Sequence, residues 1–322
     1  MEQVRDYSAL LWHHSHSDPR DVVIAQQILF AHMHAGFEVF PDFRLAWHFD
    51  DKVGQKYLFE TLDIPRLSSY VFVDKDTALE WAAKTDYPKV FKLRHGASSS
   101  CVRLVRSESQ ARGLIKRAFG RGFPVYSPWD NLKDRFYRSR LKGYDAVELS
   151  KGFGRFLYPP RFSQVLGPQN GYVLFQDFAA GNDSDVRIVV VGDKAFGARR
   201  WVRPGDFRAS GSQLLTYDPE AIDIDCVALA FQLAEKLGGR CLAFDFVRKE
   251  DGSLAVIEVS YGFRWKGNSP GHWDSNLQWH AGEYRPEEWM VEIVLESCRA
   301  RQTDGVRQTR VGLSAAEDPP CR

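Results

Sequence analysis

Two apolar segments near the C-terminal end, Cys241–Val247 and Leu254–Val259, limit the possible folds of this chain more than any other feature. An Asp-Gly pair between them predicts a β-hairpin. Each segment carries one carboxylate between apolar neighbours, Asp245 in the first and Glu258 in the second. A carboxylate buried in a strand is costly unless a cation or a metal ion compensates its charge. The hairpin therefore indicates either a magnesium site, because Mg²⁺ prefers oxygen ligands, or cross-strand pairing with arginines such as Arg187.

A second motif combines a lysine with a loop of small residues. Lys92 ends the apolar stretch that begins at Val90, and the loop that follows contains Gly96, Ala97, Ser98, Ser99 and Ser100. Small side chains let backbone N–H groups approach an anion closely, and the lysine adds positive charge. The motif predicts a phosphate-binding loop without the P-loop spacing. The alternative is a mobile surface hairpin whose lysine extends its ammonium group into solvent.

The third motif is an apolar strand followed by arginine-bearing strands. The strand ends in Gln176, Asp177 and Phe178, whose backbone and ring suit a flat base. Guanidinium groups bind phosphate or carboxylate in a bidentate fork. These strands therefore indicate an anion site, although solvated strand edges would give the same pattern. The arginines that alternate with apolar residues are Arg187, Arg199, Arg200 and Arg203.

Composition excludes several classes of function. Among 322 residues, 43 basic side chains nearly balance 42 acidic ones, so no basic surface for nucleic acid or anionic membrane is expected. No apolar run reaches the roughly 20 residues of a spanning helix. The N-terminus shows no secretory signal pattern, and the five cysteines are scattered. We expect a cytoplasmic protein that binds no nucleic acid and no membrane.

Alternating helical and strand patterns predict an α/β fold built from α+β lobes. An inserted arm with a helix near Leu132–Leu141 is expected where periodicity is poor, and the last helix, Glu287–Cys298, is expected to precede a disordered tail. The predicted units are an N-terminal α/β lobe (1–49), a small α+β lobe (50–123), the arm (124–171), a C-terminal lobe with the metal hairpin (172–298) and the tail (299–322).

The order of these motifs resembles the ATP-grasp superfamily. A lysine before a small-residue loop, an apolar strand, Asp-x-Arg on a strand and an Asp–hairpin–Glu unit follow one another in the same order there. In detail the chain is similar to the ribosomal-protein glutamate ligases and the D-alanine–D-alanine ligases. The resemblance covers about Asp50–Phe263, with Pro124–Gly171 unmatched, and includes the segment Gly205–Ser212.

The resemblance implies an ATP-grasp fold that binds ATP and Mg²⁺ or Mn²⁺. Lys52, in the pair Asp51–Lys52, and Lys92 would reach the nucleotide phosphates, and the loop Gly96–Ser100 would close over them. The family usually has asparagine two residues after the metal-binding glutamate, where this chain has Ser260. The remaining implied roles are adenine contacts for Gln176, Asp177, Phe178 and Asp185, phosphate or substrate contacts for Arg187, Arg200 and Arg208, and metal ligation for Asp245, Glu258 and Ser260.

The implied activity is a carboxylate–amine ligase that works through an acyl phosphate and needs no catalytic serine or cysteine. Its expected partners are ATP, a small-molecule or peptide- or sugar-linked carboxylate and an amine acceptor; a homodimer is also expected. Two alternatives remain at this point: a phosphotransferase acting on an alcohol, and a nucleotide-binding module whose metal site is weakened by Ser260. His13, His14 and His16 follow the first predicted strand, where substrate contact is favoured over a metal site.

Overall fold

Helices and strands alternate along the chain in the computed structural model, which describes residue 4 and residues 6–15, 18–96, 102–142, 146–263 and 269–314. The helices are α1 (Pro19–His34), α2 (Phe43–Ala46), α3 (Lys52–Thr61), α4 (Lys75–Lys84), α5 (Glu108–Ala118), α6 (Pro128–Lys142), α7 (Ala146–Leu157), α8 (Arg161–Leu166), α9 (Ile224–Lys236) and α10 (Pro286–Ser314). The strands are β1 (Ala9–Leu11), β2 (Glu38–Phe40), β3 (Ser69–Phe72), β4 (Lys89–Lys92), β5 (Arg103–Val105), β6 (Phe123–Pro124), β7 (Pro168–Gln169), β8 (Val173–Asp177), β9 (Ser184–Val191), β10 (Lys194–Trp201), β11 (Leu215–Thr216), β12 (Cys241–Arg248), β13 (Leu254–Ser260), β14 (Gly271–Asp274) and β15 (Trp279–Ala281). The α/β fold class is confirmed.

The small lobe is an antiparallel sheet in the order β3-β8-β4-β5, and α4 and α5 contribute to its core. Strand β8 lies at the centre of this sheet, although the sequence assigned residues from 172 onward to the C-terminal lobe. Val173 and Phe175 are fully buried against the small-lobe helices, which explains the difference. A strand's own pattern shows that it is buried but not which sheet it joins.

The large sheet has the order β13-β12-β9-β10-β14-β15, with β11 paired to β10. Its pairings are antiparallel, and the predicted hairpin forms the neighbours β12 and β13. Ile188 of β9 lies opposite Phe244 of β12, and both are buried in one apolar cluster with Val227 and Leu233 of α9. Because side chains alternate along a strand, Arg187 and Asp245 point to the other face of the sheet.

The N-terminal lobe contains a two-stranded parallel sheet, β1 with β2, and α1 connects the two strands. Helix α3, which the sequence placed in the small lobe, packs instead against this unit and the large sheet. Phe59 and Ile64 are buried in the large core, and the Gln55 side-chain amide donates to the Val259 carbonyl oxygen at 2.8 Å. Asp51 caps α3 by accepting from the N–H groups of Val53 and Gly54.

The arm is closed at its base by the pairing of β6 with β7. Its described residues form three helices, α6, α7 and α8, where the sequence predicted one. The apolar pattern was unclear because large side chains stay exposed on these helices, including Trp129 and Phe153. The arm also reaches the large lobe, since the Arg203 guanidinium lies 4.5 Å from the ring centroid of Tyr137.

The last helix extends further than expected. Helix α10 runs to Ser314, so the expected end at Cys298 and the disordered tail are wrong for residues 299–314. No proline interrupts this stretch, and its four arginines and two glutamines favour helix, whereas Gly305 and Gly312 oppose it. Residues 315–322 lie outside the described residues. None of the helices in the described ranges has a stretch long and apolar enough to cross a bilayer.

Candidate functional site

A cavity of about 650 Å³ lies between the small-lobe sheet and the polar face of the large sheet. The structure brings most of the predicted site residues to this cavity. Among the described ones Arg200 is not a lining residue, and Ser98, Ser99 and Ser100 lie outside the described residues. The predicted residues that line it are Lys52, Lys92, Gly96, Gln176, Asp177, Phe178, Asp185, Arg187, Arg208, Asp245, Glu258 and Ser260.

Strand register explains why these charged residues meet. Arg187 of β9 lies opposite Asp245 of β12, and Asp245 lies opposite Glu258 of β13. Asp185, two residues before Arg187 and on the same face, lies opposite Arg200 of β10. Residues directly opposite in an antiparallel pair have neighbouring Cβ atoms on one face. The sheet therefore gathers these charges on one face, where all of them except Arg200 line the cavity.

Asp245 is held by two arginines. Arg187 donates to it through Nε at 2.6 Å and Nη2 at 2.8 Å, while Nη2 of Arg200 lies 2.9 Å from its second oxygen. Burial opposes ionisation of Asp245, but these arginines hold its pKa below the usual range. The arginine pairing that the sequence left open is thus present in the structure.

The guanidinium of Arg200 pairs with a buried carboxylate of the same sheet. Its Nε and Nη2 atoms donate to Asp185 at 2.6 and 2.8 Å, and both side chains are buried. Burial raises the pKa of Asp185 above its usual range despite this pairing. Burial lowers the pKa of Arg200, but the attraction of Asp245 and Asp185 outweighs it and raises that pKa overall. The expectation that Arg200 contacts a ligand directly remains a prediction, and its position behind the cavity wall does not favour it.

The oxygen donors of the hairpin fit a magnesium ion that takes its other ligands from water and phosphate. Asp245 and Glu258 are adjacent across β12 and β13, and Glu258 keeps 34% of its side chain exposed at the cavity. The Ser260 hydroxyl also lines the cavity, where its oxygen accepts from the Gly262 N–H at 3.1 Å. Within the described ranges, no three His, Cys, Asp or Glu side chains form a ready-made metal cage. The donor set suits a phosphate-shared ion better than a structural metal.

Lys52 stands at the first position of α3 and points into the cavity. Its Nζ donates to the Gly96 carbonyl oxygen at 3.0 Å and lies 3.4 Å from Asp50 and 3.7 Å from Glu258. Burial lowers the pKa of Lys52, but the two carboxylates raise it overall, so the lysine stays charged. Helix α3 thus delivers a fixed positive charge to the cavity.

Lys92 reaches the cavity from the end of β4. Its Nζ donates to the side-chain oxygen of Gln176 at 2.6 Å. Burial lowers the pKa of Lys92 to about 8, with the charge of Lys52 acting in the same direction. An ammonium group in this position gains much from a bound anion, because an anion repays its desolvation.

Asp50 was missed by the sequence reading. Its carboxylate accepts from the Gly96 N–H at 3.0 Å and contacts Lys52, so it ties the start of the small-residue loop to α3. Its backbone has a left-handed φ of 51°. Asp50 directly precedes the pair Asp51–Lys52, to which the family resemblance extends.

The opposite end of the cavity is more apolar. Leu67, Val90, Val247 and Ile257 line it, and the rings of Phe178 and Phe207 lie 5.9 Å apart in an edge-to-face arrangement. Asp177 accepts from Lys89 Nζ at 2.6 Å, which neutralises its charge. Flat walls of this kind with polar groups at the rim suit a nucleobase.

Arg208 lies on the loop after β10. Its guanidinium pairs with Asp206, with Nη2 at 2.7 Å from the carboxylate, and the side chain lines the cavity. Burial would raise the pKa of Asp206, but the facing guanidinium of Arg208 outweighs it and holds that pKa below its usual range. The guanidinium is thus held in place at the cavity wall.

The comparisons with known proteins agree with this geometry. Residues 151–268 match the family model described as a RimK-like ATP-grasp domain. The match shows that this part of the chain carries an ATP-grasp domain. The particular domain it carries is RimK-like. A search of curated protein sequences finds no match.

Solved structures give weaker likenesses. A RimK domain ATP-grasp protein from Sphaerobacter thermophilus is 19% identical, with a TM-score of 0.45, and the match covers 79% of this chain and 72% of that one. Biotin carboxylase from Campylobacter jejuni is 12% identical, with a TM-score of 0.48 and coverage of 81% and 50%. The ATP-grasp ligase PsnB with a minimal precursor is 16% identical, with a TM-score of 0.43 and coverage of 78% and 64%. This chain spans only half to about two thirds of the latter two proteins.

Proposed function

We propose that the protein is an ATP-dependent carboxylate–amine ligase that acts through an acyl phosphate. The observation that carries this proposal is the convergence of Lys52, Lys92 and Arg187 with Asp245 and Glu258 in one cavity between the two sheets. Cations placed over a pair of carboxylates fit a nucleotide triphosphate and its magnesium ion. We further propose a cytoplasmic location and a homodimer.

In the first step, a substrate carboxylate oxygen attacks the γ-phosphorus of ATP. The new O–P bond forms as the bond to the β-phosphate oxygen breaks, which yields an acyl phosphate and ADP. Lys52 and Lys92 would neutralise the phosphates, and Arg187 would offer its guanidinium to the transferring group. A magnesium ion held by Asp245 and Glu258 would offset further phosphate charge. Positioning and charge neutralisation therefore supply the catalysis.

In the second step, an amine nitrogen attacks the acyl carbon, and the C–O bond to phosphate breaks to leave an amide. Arg208 would stabilise the acyl phosphate or the substrate carboxylate from the loop side. This step needs an amine and releases inorganic phosphate, whereas a phosphotransferase acting on an alcohol would release a stable phosphate ester. The two products separate these activities.

The test is ADP release from MgATP with pooled carboxylates, namely amino acids, their N-acetyl derivatives and short peptides, with and without amino-acid amides. Carboxylate-dependent ADP and phosphate should appear with the wild type. They should vanish in the double variant Asp245→Asn/Glu258→Gln. The matched control Asp76→Asn/Glu80→Gln changes two exposed carboxylates on α4, outside the cavity, and should retain activity. Tight ATP binding without turnover in any pool would remove the ligase proposal in favour of a phosphotransferase or a binding module.

A further inference from the structure

The segment that follows β1 is fixed in position at the edge of the cavity. It spans Trp12–Ser15, and His13 and Ser15 line the cavity beside Phe49. A segment held on several sides presents its side chains at low entropic cost. Its hydrogen bonds run from the Trp12 N–H to the Phe40 carbonyl oxygen (2.8 Å), from the Trp12 indole N–H to Asp21 (3.1 Å), from the His14 N–H to the Tyr261 hydroxyl oxygen (2.6 Å) and from the Ser15 N–H to Asp21 (2.9 Å).

His13 is the accessible titratable group of this segment. Its side chain is exposed, and its ring centroid lies 6.2 Å from that of Tyr261. Within the described ranges the structure records no hydrogen bond or ion pair of the His13 imidazole. The neighbouring His14 also lines the cavity, but it is 1% exposed, so His13 is the more accessible imidazole. Imidazole is the side chain best suited to take a proton near neutral pH.

The other candidate bases of the cavity are engaged. A carboxylate that is already held by a cation is not free to turn toward an attacking amine. Lys92 has a pKa of about 8, but its ammonium donates to Gln176 at the phosphate end, where its charge is needed. The paired carboxylates are Asp50 with Lys52, Asp177 with Lys89, Asp185 with Arg200, Asp245 with Arg187 and Arg200, and Glu258 with Lys52.

We propose that His13 is the general base of the amide-forming step, an inference that rests on the proposed ligase function. As the amine nitrogen attacks the acyl carbon, one of its protons passes to an imidazole nitrogen of His13. The C–O bond to phosphate then breaks, and the phosphate leaves with the electron pair. The proton passes from His13 to the departing phosphate or to water, which restores the neutral imidazole. The first step, formation of the acyl phosphate, makes no use of His13.

The test separates the two steps by choice of nucleophile. N-acetyl amino acids serve as carboxylates, and the nucleophile is either an amino-acid amide or hydroxylamine. An α-amino group has a pKa of about 8 and is largely protonated at neutral pH. Hydroxylamine is largely neutral there and attacks acyl phosphates without a base, so hydroxamate formation reports the first step alone.

His13→Gln should lower the amide-dependent rate by about 100-fold or more, the usual contribution of a general base, while hydroxamate formation continues at the wild-type rate. Added imidazole should restore part of the amide-dependent rate to His13→Ala. His34→Gln, which changes an exposed histidine in the last turn of α1, should match the wild type in both assays.

Two outcomes would overturn the role of His13. Equal losses with both nucleophiles would make it a substrate-holding or structural residue, and an unchanged amide-dependent rate would leave it without a role. A wild-type protein that forms no hydroxamate with any carboxylate would instead refute the ligase function itself, and the assignment of His13 would fall with it.

Discussion

Replacing Arg200 by methionine tests whether its ion pairs with Asp185 and Asp245 stabilise the fold. Arg200 donates to Asp185 at 2.6 and 2.8 Å and to Asp245 at 2.9 Å, and all three residues are at most 9% exposed. In the variant, Asp245 keeps Arg187, but Asp185 loses the cation that faces it across the strands. One buried carboxylate without its partner costs about 3–5 kcal/mol of unfolding free energy.

Urea unfolding followed by tryptophan fluorescence measures this loss. Adding Asp185→Asn to Arg200→Met should recover a large part of it, because the second change removes the uncompensated charge. The control is Arg248→Met at the more exposed pair with Asp223, where a loss within about 1 kcal/mol is expected. A loss below about 1 kcal/mol for Arg200→Met, or no recovery in the double variant, would refute the reasoning.

Three further predictions concern the cavity. ATP affinity measured by calorimetry should fall as pH rises through about 8, because Lys92 is charged below that value and neutral above it, and Lys92→Arg should flatten this profile. Glu258→Gln should weaken ATP binding about tenfold in the presence of magnesium but little in its absence, with no change in melting temperature, since the side chain is 34% exposed. Gly262→Ala should cost about 1–3 kcal/mol in thermal unfolding, because the added methyl group would lie 2.8 Å from the buried Phe49 ring.

The hairpin was predictable because its information is local. The Asp-Gly turn and the spacing of apolar residues place Asp245 and Glu258 opposite each other, and the structure has them in that register. The same holds for Lys92 at the end of its strand, whereas Lys52 at the start of α3 was implied by the family resemblance. Local patterns determine strands, turns and caps, so a site built from these elements can be predicted from the sequence alone.

Long-range packing could not be read in this way. The pattern of β8 predicted a buried strand but not its place in the small-lobe sheet, and that of α3 did not show that it packs on β13. The pairing of the Arg200 guanidinium with Asp185, which follows from the register of β9 with β10, was not predicted either. Each outcome depends on a partner far away in the chain, and neither periodicity nor propensity encodes the partner.

The two ends of the cavity differ in the same respect. The phosphate end is built from motifs within single loops and hairpins, whereas the His13 end is assembled from distant parts of the chain. The His14 N–H meets the Tyr261 hydroxyl across 247 positions, and Phe49 joins them from between α2 and α3. In the sequence His13 is one of three closely spaced histidines with no partner at diagnostic spacing. Only after Tyr261, which follows the hairpin, and the helix residue Asp21 fix the Trp12–Ser15 segment does the His13 imidazole acquire a defined place at the edge of the cavity. The proposed nucleotide chemistry therefore depends on the hairpin, and the proposed role of His13 depends on the N-terminal lobe that packs on it.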